Sequence, residues 1–190
     1  MKRLLVIAVG LATALAVAVA SAGASITASA PDPTVPQDSA HYQKLSPWAC
    51  GGNGGTYSLS DSRPILIKYG WVAQTANQVQ SFFQNASGSI TITNGAGETI
   101  TDSWQSNAAG NPPTNSSGVA WSPIVPTTFS NNGTAVNGYG STYAAVLTFT
   151  QTGTYTITTS MTFTKTVYDG FGATTKGTHT TGPCTITVNP

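Results

Sequence analysis

The chain has 190 residues, and only 7% of them carry a charged side chain, against about 25% in ordinary soluble domains. The formal net charge is +1, and no basic stripe is present, which argues against a nucleic-acid partner and against binding to anionic lipid. Thr, Ser, Asn and Gln supply the polarity instead, and Thr also favours β-structure.

Residues 1–24 follow the pattern of a secretory signal peptide. Lys2 and Arg3 form a positive start, and residues 4–20 are an uncharged apolar run. Small-residue cleavage sites follow, ending at Ala22, Ala24 and Ala30. An Ala-rich run of this length, followed by small residues, favours a cleaved signal over a membrane anchor. We therefore expect a secreted or cell-surface protein with no membrane span after cleavage and a net charge of about −1.

The next segment, residues 25–47, carries several prolines and little apolar content. It is predicted to be a linker or a loose N-terminal arm. Residues 48–190 then have the length of one domain.

Period-two alternation, typical of β-strands, recurs from Thr56 onward. Asn94-Gly95 predicts a tight turn between two strands, and residues 151–153 predict a hairpin between two others. The predicted strands include 57–59, 65–69, 89–93, 98–100, 143–149, 155–163 and 184–188.

One segment breaks this period. Thr75 and Gln78 have the spacing of a capping box, and Val79 precedes Phe82 and Phe83 at helical spacing. This predicts a short helix over about 76–84. Residues 105–140 show no sustained period and carry several Pro, Gly and Asn, so we expect a long irregular loop region there.

Seven to nine short strands, one short helix and no long helix predict an all-β protein with an immunoglobulin-like antiparallel β-sandwich. The stretch GTYTIT at residues 153–158 resembles a strand of PKD-like and other immunoglobulin-like domains in bacterial surface proteins. Residues 70–82 are also similar to a segment of secreted bacterial proteins. The resemblance implies a β-sandwich and no activity.

The two cysteines, Cys50 and Cys184, stand near the two ends of the predicted domain. Export to an oxidising compartment predicts that they form a disulfide bond. Cys184 lies in phase with Ile186 and Val188, so its side chain is expected to face the core.

Groups for catalysis are few. His41 and His179 are isolated in the sequence, and neither a nucleophile-elbow motif nor a zinc-binding cluster is present. Glu98 and Asp102 are the one local carboxylate pair, but four strand residues separate carboxylates by about 13 Å, beyond glycosidase spacing. We therefore predict no catalytic residue, no metal and no cofactor. The alternative is a surface calcium site shared by aspartates, namely Asp61, Asp102 and Asp169.

Four aromatic residues in or beside loop-like stretches are candidate ligand-binding residues: Trp48, Trp104, Trp121 and Tyr139. Such rings stack on sugars in carbohydrate-binding sandwiches, but they also fill cores, since Trp is highly buried on average.

The sequence therefore favours a non-catalytic secreted β-sandwich with a structural, adhesive or surface-interaction role. Its partner would be a glycan or another extracellular protein, and the oligomeric state stays open. The alternatives are a carbohydrate-binding module that uses exposed aromatics and, second, a small extracellular hydrolase.

Overall fold

The protein forms two packed β-sheets and one short helix. The structure, a computed structural model, describes residues 26–47, 50, 53–113 and 120–190. The predicted signal peptide and Trp48 lie outside these residues. The fold is an all-β, sandwich-like architecture, as the strand pattern predicts.

The first sheet, sheet A, is built around a long central strand. The strands of sheet A are β1 (Ile26–Ser29), β2 (Gln43–Leu45), β4 (Ile65–Ala73), β7 (Ala120–Trp121), β8 (Val125–Asn131) and β9 (Thr134–Phe149). The central strand β9 pairs with β4 on one side and with β1, β7 and β8 on the other, and β2 runs parallel to β4.

The second sheet, sheet B, contains β3 (Asn53–Ser58), β5 (Ala86–Asn94), β6 (Thr99–Trp104), β10 (Gly153–Phe163), β13 (Gly177–Thr180) and β14 (Cys184–Asn189). Its strand order is β3-β14-β10-β5-β6, and β13 also pairs with β10. All of its pairs are antiparallel except that of β3 with β14. A separate ribbon pairs β11 (Val167–Tyr168) with β12 (Ala173–Thr174).

The predicted hairpin at residues 151–153 is wrong, because the strands that this turn joins belong to different sheets. Strand β9 pairs with β1 and β4 along its two edges, and β10 pairs with β5 and β14, so the two strands do not pair with each other. The connection therefore crosses the sandwich, and the rings of Phe149 and Tyr155 pack against each other with centroids 4.5 Å apart. The predicted Asn94-Gly95 turn is correct, since β5 and β6 pair directly.

Helix α1 (Ala76–Asn85) forms where the capping box predicts it. The Thr75 hydroxyl accepts a hydrogen bond from the Gln78 backbone amide, and the Gln78 side-chain oxygen accepts one from the Thr75 backbone amide. The apolar side of the helix, with Phe82 and Phe83 fully buried, packs against strands of both sheets. The helix therefore closes the core between the sheets.

Residues 26–47 are part of the folded unit, which corrects the prediction of a linker or loose arm. Strand β1 pairs with β9 and buries Ile26 in the core. Tyr42 is buried against Leu66 and Val146 on the outer face of sheet A. Because Leu66 and Val146 point away from the main core, the proline-rich segment is needed to shield them from water.

Among its described residues, the predicted irregular region, 105–140, is irregular over 105–113 and 122–124, whereas most of 125–140 is strand. Strand β8 and the first half of β9 form a hairpin whose turn residues Asn132 and Gly133 have φ values of 49° and 81°. Most positions of β8 are exposed or half-buried on both faces. No buried face imposes alternation of apolar and polar residues, so the period-two signal is missing from the sequence.

Candidate functional site

The disulfide bond between Cys50 and Cys184 is present. It joins the segment before β3 to the first residue of β14, with the two Cα atoms 5.8 Å apart. Cys184 is fully buried, as its phase in the strand predicts. The bond therefore fixes the edge of sheet B where β3 runs parallel to β14.

Two of the predicted ligand-binding aromatics lie in the core. Trp104 and Trp121 are 3% and 4% exposed, and their rings meet edge to face with centroids 5.4 Å apart. Phe82 and Phe83 of the helix pack against both indoles. Rings enclosed in this way have no face available for stacking on a sugar from solvent.

Tyr139 differs from these two tryptophans because it is only half-buried. It lies on β9 between Ala73 of β4 and Pro126 of β8, at the base of the β8–β9 hairpin. Trp48, the fourth predicted residue, lies outside the described residues.

Most carboxylates accept hydrogen bonds from residues in their own turns. Asp38 accepts a hydrogen bond from the His41 ring at 2.7 Å, which lowers the pKa of the carboxyl. Asp61 binds Arg63 at 2.8 Å, and hydrogen bonds from that guanidinium lower the pKa of Asp61. Asp169 accepts from two backbone amides of its own turn. Within the described residues, no group of three or more His, Cys, Asp or Glu is arranged to hold a metal ion.

Asp102 is the exception, because its carboxylate lies between the two sheets. It accepts a hydrogen bond from the hydroxyl of Tyr143, which belongs to β9 in sheet A. Glu98 instead accepts from the Asn94 amide in the β5–β6 turn at 2.9 Å. The two residues of the local carboxylate pair therefore occupy different environments, with Glu98 at the β5–β6 turn and Asp102 between the two sheets.

Two tyrosine phenols beside Asp102 have pKa values well above the ordinary value. Burial raises the pKa of Tyr143 well above its ordinary value, and the hydrogen bond to Asp102 raises it further. Burial also raises the pKa of Tyr69, whose ring stacks on Tyr143 with centroids 4.9 Å apart. Both phenols stay protonated at neutral pH.

The sequence does contain the signal for this inward carboxylate. Ile100, Asp102 and Trp104 alternate along β6, and their positions are half-buried or buried while the residues between them are exposed. An acidic residue in the inward phase of a strand predicts a polar group between the sheets. The spacing between Glu98 and Asp102 in the sequence does not by itself reveal this inward position.

The outer face of sheet B consists of hydroxyl side chains in register. Along β10 every second residue from Thr154 to Thr162 is Ser or Thr, and the residues between them are buried. The paired strands place further Ser and Thr hydroxyls beside them. The hydroxyls therefore form rows, called ranks here, that run across the sheet perpendicular to the strands. These ranks, hereafter the Ser/Thr face, are Thr56–Thr187–Thr154, Thr185–Thr156–Thr93–Thr99, Thr158–Thr91–Thr101, Thr180–Ser160–Ser89–Ser103 and Thr178–Thr162–Ser87.

Several neighbours within the ranks are hydrogen-bonded to each other. The hydroxyls of Thr93 and Thr99 lie 3.0 Å apart, and those of Thr162 and Thr178 lie 2.9 Å apart. Strand geometry places successive ranks about 7 Å apart along the strands. Within a rank, neighbouring residues lie about 5 Å apart across the strands. All members are exposed or half-buried, and none is charged.

Comparisons of the chain with protein families, with curated proteins and with solved structures give no match. The all-β sandwich is thus assigned on its own geometry, and the resemblance to immunoglobulin-like domains stays a prediction. No helix within the described ranges has the length and hydropathy needed to cross a membrane.

Proposed function

We propose that this protein is a non-catalytic, exported β-sandwich that works by surface contact, and that the Ser/Thr face makes the contact. The observation that supports the proposal is the register of that face. Hydroxyls stand in ranks across sheet B, and each rank repeats the chemistry of its neighbours.

The chemistry of the Ser/Thr face fits a neutral polymer that bears many hydroxyls, such as a glycan. A hydroxyl both donates and accepts hydrogen bonds, so the face matches the groups of a sugar without a fixed charge pattern. β-Branched Thr side chains have few rotamers, so little side-chain entropy is lost on contact. A surface without charges also has a smaller desolvation cost than a charged one.

The placement of the titratable groups supports a non-catalytic role. Asp38, Asp61 and Asp169 each bind a partner at most three residues away in the chain, at separate turns. Such hydrogen bonds stabilise turns, and they do not converge on one reacting atom as general acid–base catalysis requires.

A carbohydrate-binding module that stacks sugars on aromatic rings is the second candidate. The observation that favours it is the half-buried ring of Tyr139 at the base of the β8–β9 hairpin. This candidate differs from the first in the surface that it uses.

Binding of the mature protein to insoluble cellulose, chitin and peptidoglycan tests the proposal. Thr156→Lys places a charge in one of the two longest ranks, and Thr152→Lys places the same charge in the loop between β9 and β10 as a matched control. We expect Thr156→Lys to abolish binding and Thr152→Lys to retain it. Loss of binding in Tyr139→Ala alone would favour the second candidate, and release of soluble sugars during incubation would contradict a non-catalytic role.

A further inference from the structure

A cavity of about 310 Å³ lies between the two sheets, beside Asp102. Strands β1 and β6 border it, and in the described part of the chain each pairs with a single neighbour. The cavity is thus placed along the side of the sandwich where the sheet edges face each other. The exposed residues Thr27 and Thr101 are part of its lining, so it is reached from solvent between these edges.

The walls of the cavity are mostly apolar. Sheet A contributes residues such as Ile67 and Leu147, and sheet B contributes Ile92. All three are buried, and none belongs to the aromatic cluster around the helix. A pocket of this size, apolar with a few convergent polar groups, is typical of small-molecule sites.

The polar end of the cavity is formed by Asp102 and Tyr143. The Tyr143 hydroxyl donates a hydrogen bond to the Asp102 carboxylate, so this O–H group is already paired within the protein. A carboxylate has about four acceptor positions, and the Tyr143 hydroxyl takes one of them. This end of the cavity therefore offers acceptors and a negative charge, which complement a ligand with N–H donors and a positive charge.

The volume limits the size of the ligand. An engineered apolar cavity of about 150 Å³ holds one benzene molecule, so about 310 Å³ holds roughly twice as many non-hydrogen atoms. A carboxylic acid of that size would place a second negative charge near Asp102 in a medium of low dielectric constant, which is unfavourable. An alcohol would lack the charge that strengthens a hydrogen bond to a carboxylate.

We propose that this inter-sheet cavity is a binding site for a small apolar amine, whose hydrocarbon body contacts the apolar walls and whose ammonium group binds Asp102. Tyr143 positions the carboxylate for this contact. The apolar walls and Asp102 lie on the inner surface of sheet B, opposite the Ser/Thr face, and the two sites share only Thr101 at the edge strand β6. Failure of glycan binding therefore does not affect it.

Calorimetric titration with three compounds of matched size tests the proposal: 4-phenylbutylamine, 4-phenylbutan-1-ol and 4-phenylbutanoic acid. We expect the amine to bind and the alcohol to bind at least about tenfold more weakly, because a hydrogen bond to a charged group adds about 1.5–3 kcal/mol. The acid is expected to bind most weakly. Absence of binding by the amine, or equal binding of amine and acid, overturns the proposal.

Three variants test whether Asp102 makes the polar contact with the ammonium group. Asp102→Asn keeps the shape of the side chain, and we expect it to weaken amine binding at least about tenfold while leaving the alcohol unchanged. Glu98→Gln removes a carboxylate from the same β5–β6 hairpin outside the cavity and is expected to bind like the unmodified protein. Ala28→Phe fills the cavity from β1 and is expected to abolish binding of both compounds.

Nuclear magnetic resonance of the unmodified protein locates the site even if a variant fails to fold. Addition of the amine is expected to shift the methyl signals of Ala28, Ile92 and Ala145, which line the cavity. Shifts confined to methyl groups elsewhere, or amine binding that Asp102→Asn leaves unchanged, would rule out this site.

Discussion

Replacement of Phe82 by Ala is expected to cause the largest loss of stability among single changes in the helix. The Phe82 ring is fully buried and stacks on Trp71, with centroids 4.4 Å apart and planes 10° apart. It also contacts Trp104 and Trp121 at 5.6 Å and Phe163 at 5.9 Å. Truncation of a buried Phe to Ala costs about 3–5 kcal/mol, and the lost aromatic pairs place this site in the upper part of that range.

The size of the effect makes the expectation measurable by urea unfolding. A loss of about 4 kcal/mol, divided by a denaturant slope of about 2 kcal/mol/M, lowers the urea midpoint by about 2 M. Circular dichroism avoids the change in Trp fluorescence that the substitution itself causes. Asn77→Ala, at an exposed position of the same helix, is the control and is expected to change the free energy of unfolding by less than about 0.5 kcal/mol.

Two outcomes would refute this reasoning. A midpoint for Phe82→Ala within about 0.5 M of the unmodified protein would mean that the helix does not close the core between the sheets. An equal loss in Asn77→Ala would mean that the cost comes from the helix backbone and not from the buried ring. Phe82→Leu, which keeps apolar volume, is expected to cost less than Phe82→Ala.

Three further expectations concern other parts of the fold. Because β1 starts at Ile26 and pairs with β9, signal cleavage is expected before Ile26, and a mature N-terminus after Ala30 in the intact mass would contradict this pairing. Burial raises the pKa of Tyr143, so the stability that its protonated phenol contributes is present below about pH 10 and is lost as the pH rises above that value. Unfolding curves above pH 10 for Tyr143→Phe should show a smaller alkaline loss than those of the unmodified protein. A Cβ at Gly88 would lie 2.8 Å from Trp104 Nε1, so Gly88→Ala is expected to destabilise by about 1–3 kcal/mol in thermal unfolding, whereas Gly182→Ala, with no atom within 4 Å of its Cβ, should not.

Features that depend on residues close together in the chain could be predicted from the sequence alone. The helix was predictable because Thr75 and Gln78 satisfy the first backbone amides locally and Val79 and Phe82 share one helical side. The register of β10 was equally predictable, since Ile157 and Phe163 are buried and the Thr residues between them face outward. The disulfide followed from the number of cysteines and the predicted export.

The pairing partners of the strands, in contrast, depend on the packing of the whole chain and could not be predicted from local sequence. Alternation in 143–149 and 155–163 identifies two strands, but it does not say whether the turn between them folds back or crosses to the other sheet. Likewise, nothing local distinguishes a loose proline-rich segment from one that covers Leu66 and Val146 on the outer face of a sheet. Both outcomes depend on which surfaces elsewhere remain uncovered.

The same distinction between local sequence and tertiary packing applies to the candidate sites. The hydroxyls of the Ser/Thr face are visible in the sequence as alternating Thr residues, but their alignment into ranks exists only once the strands are paired. The contact between Asp102 and Tyr143 joins residues 41 positions apart on opposite sheets. Burial of Trp104 and Trp121 likewise depends on the helix that packs between the sheets. Local sequence fixes which side of a strand each residue occupies, and the packing of the two sheets fixes what that side faces.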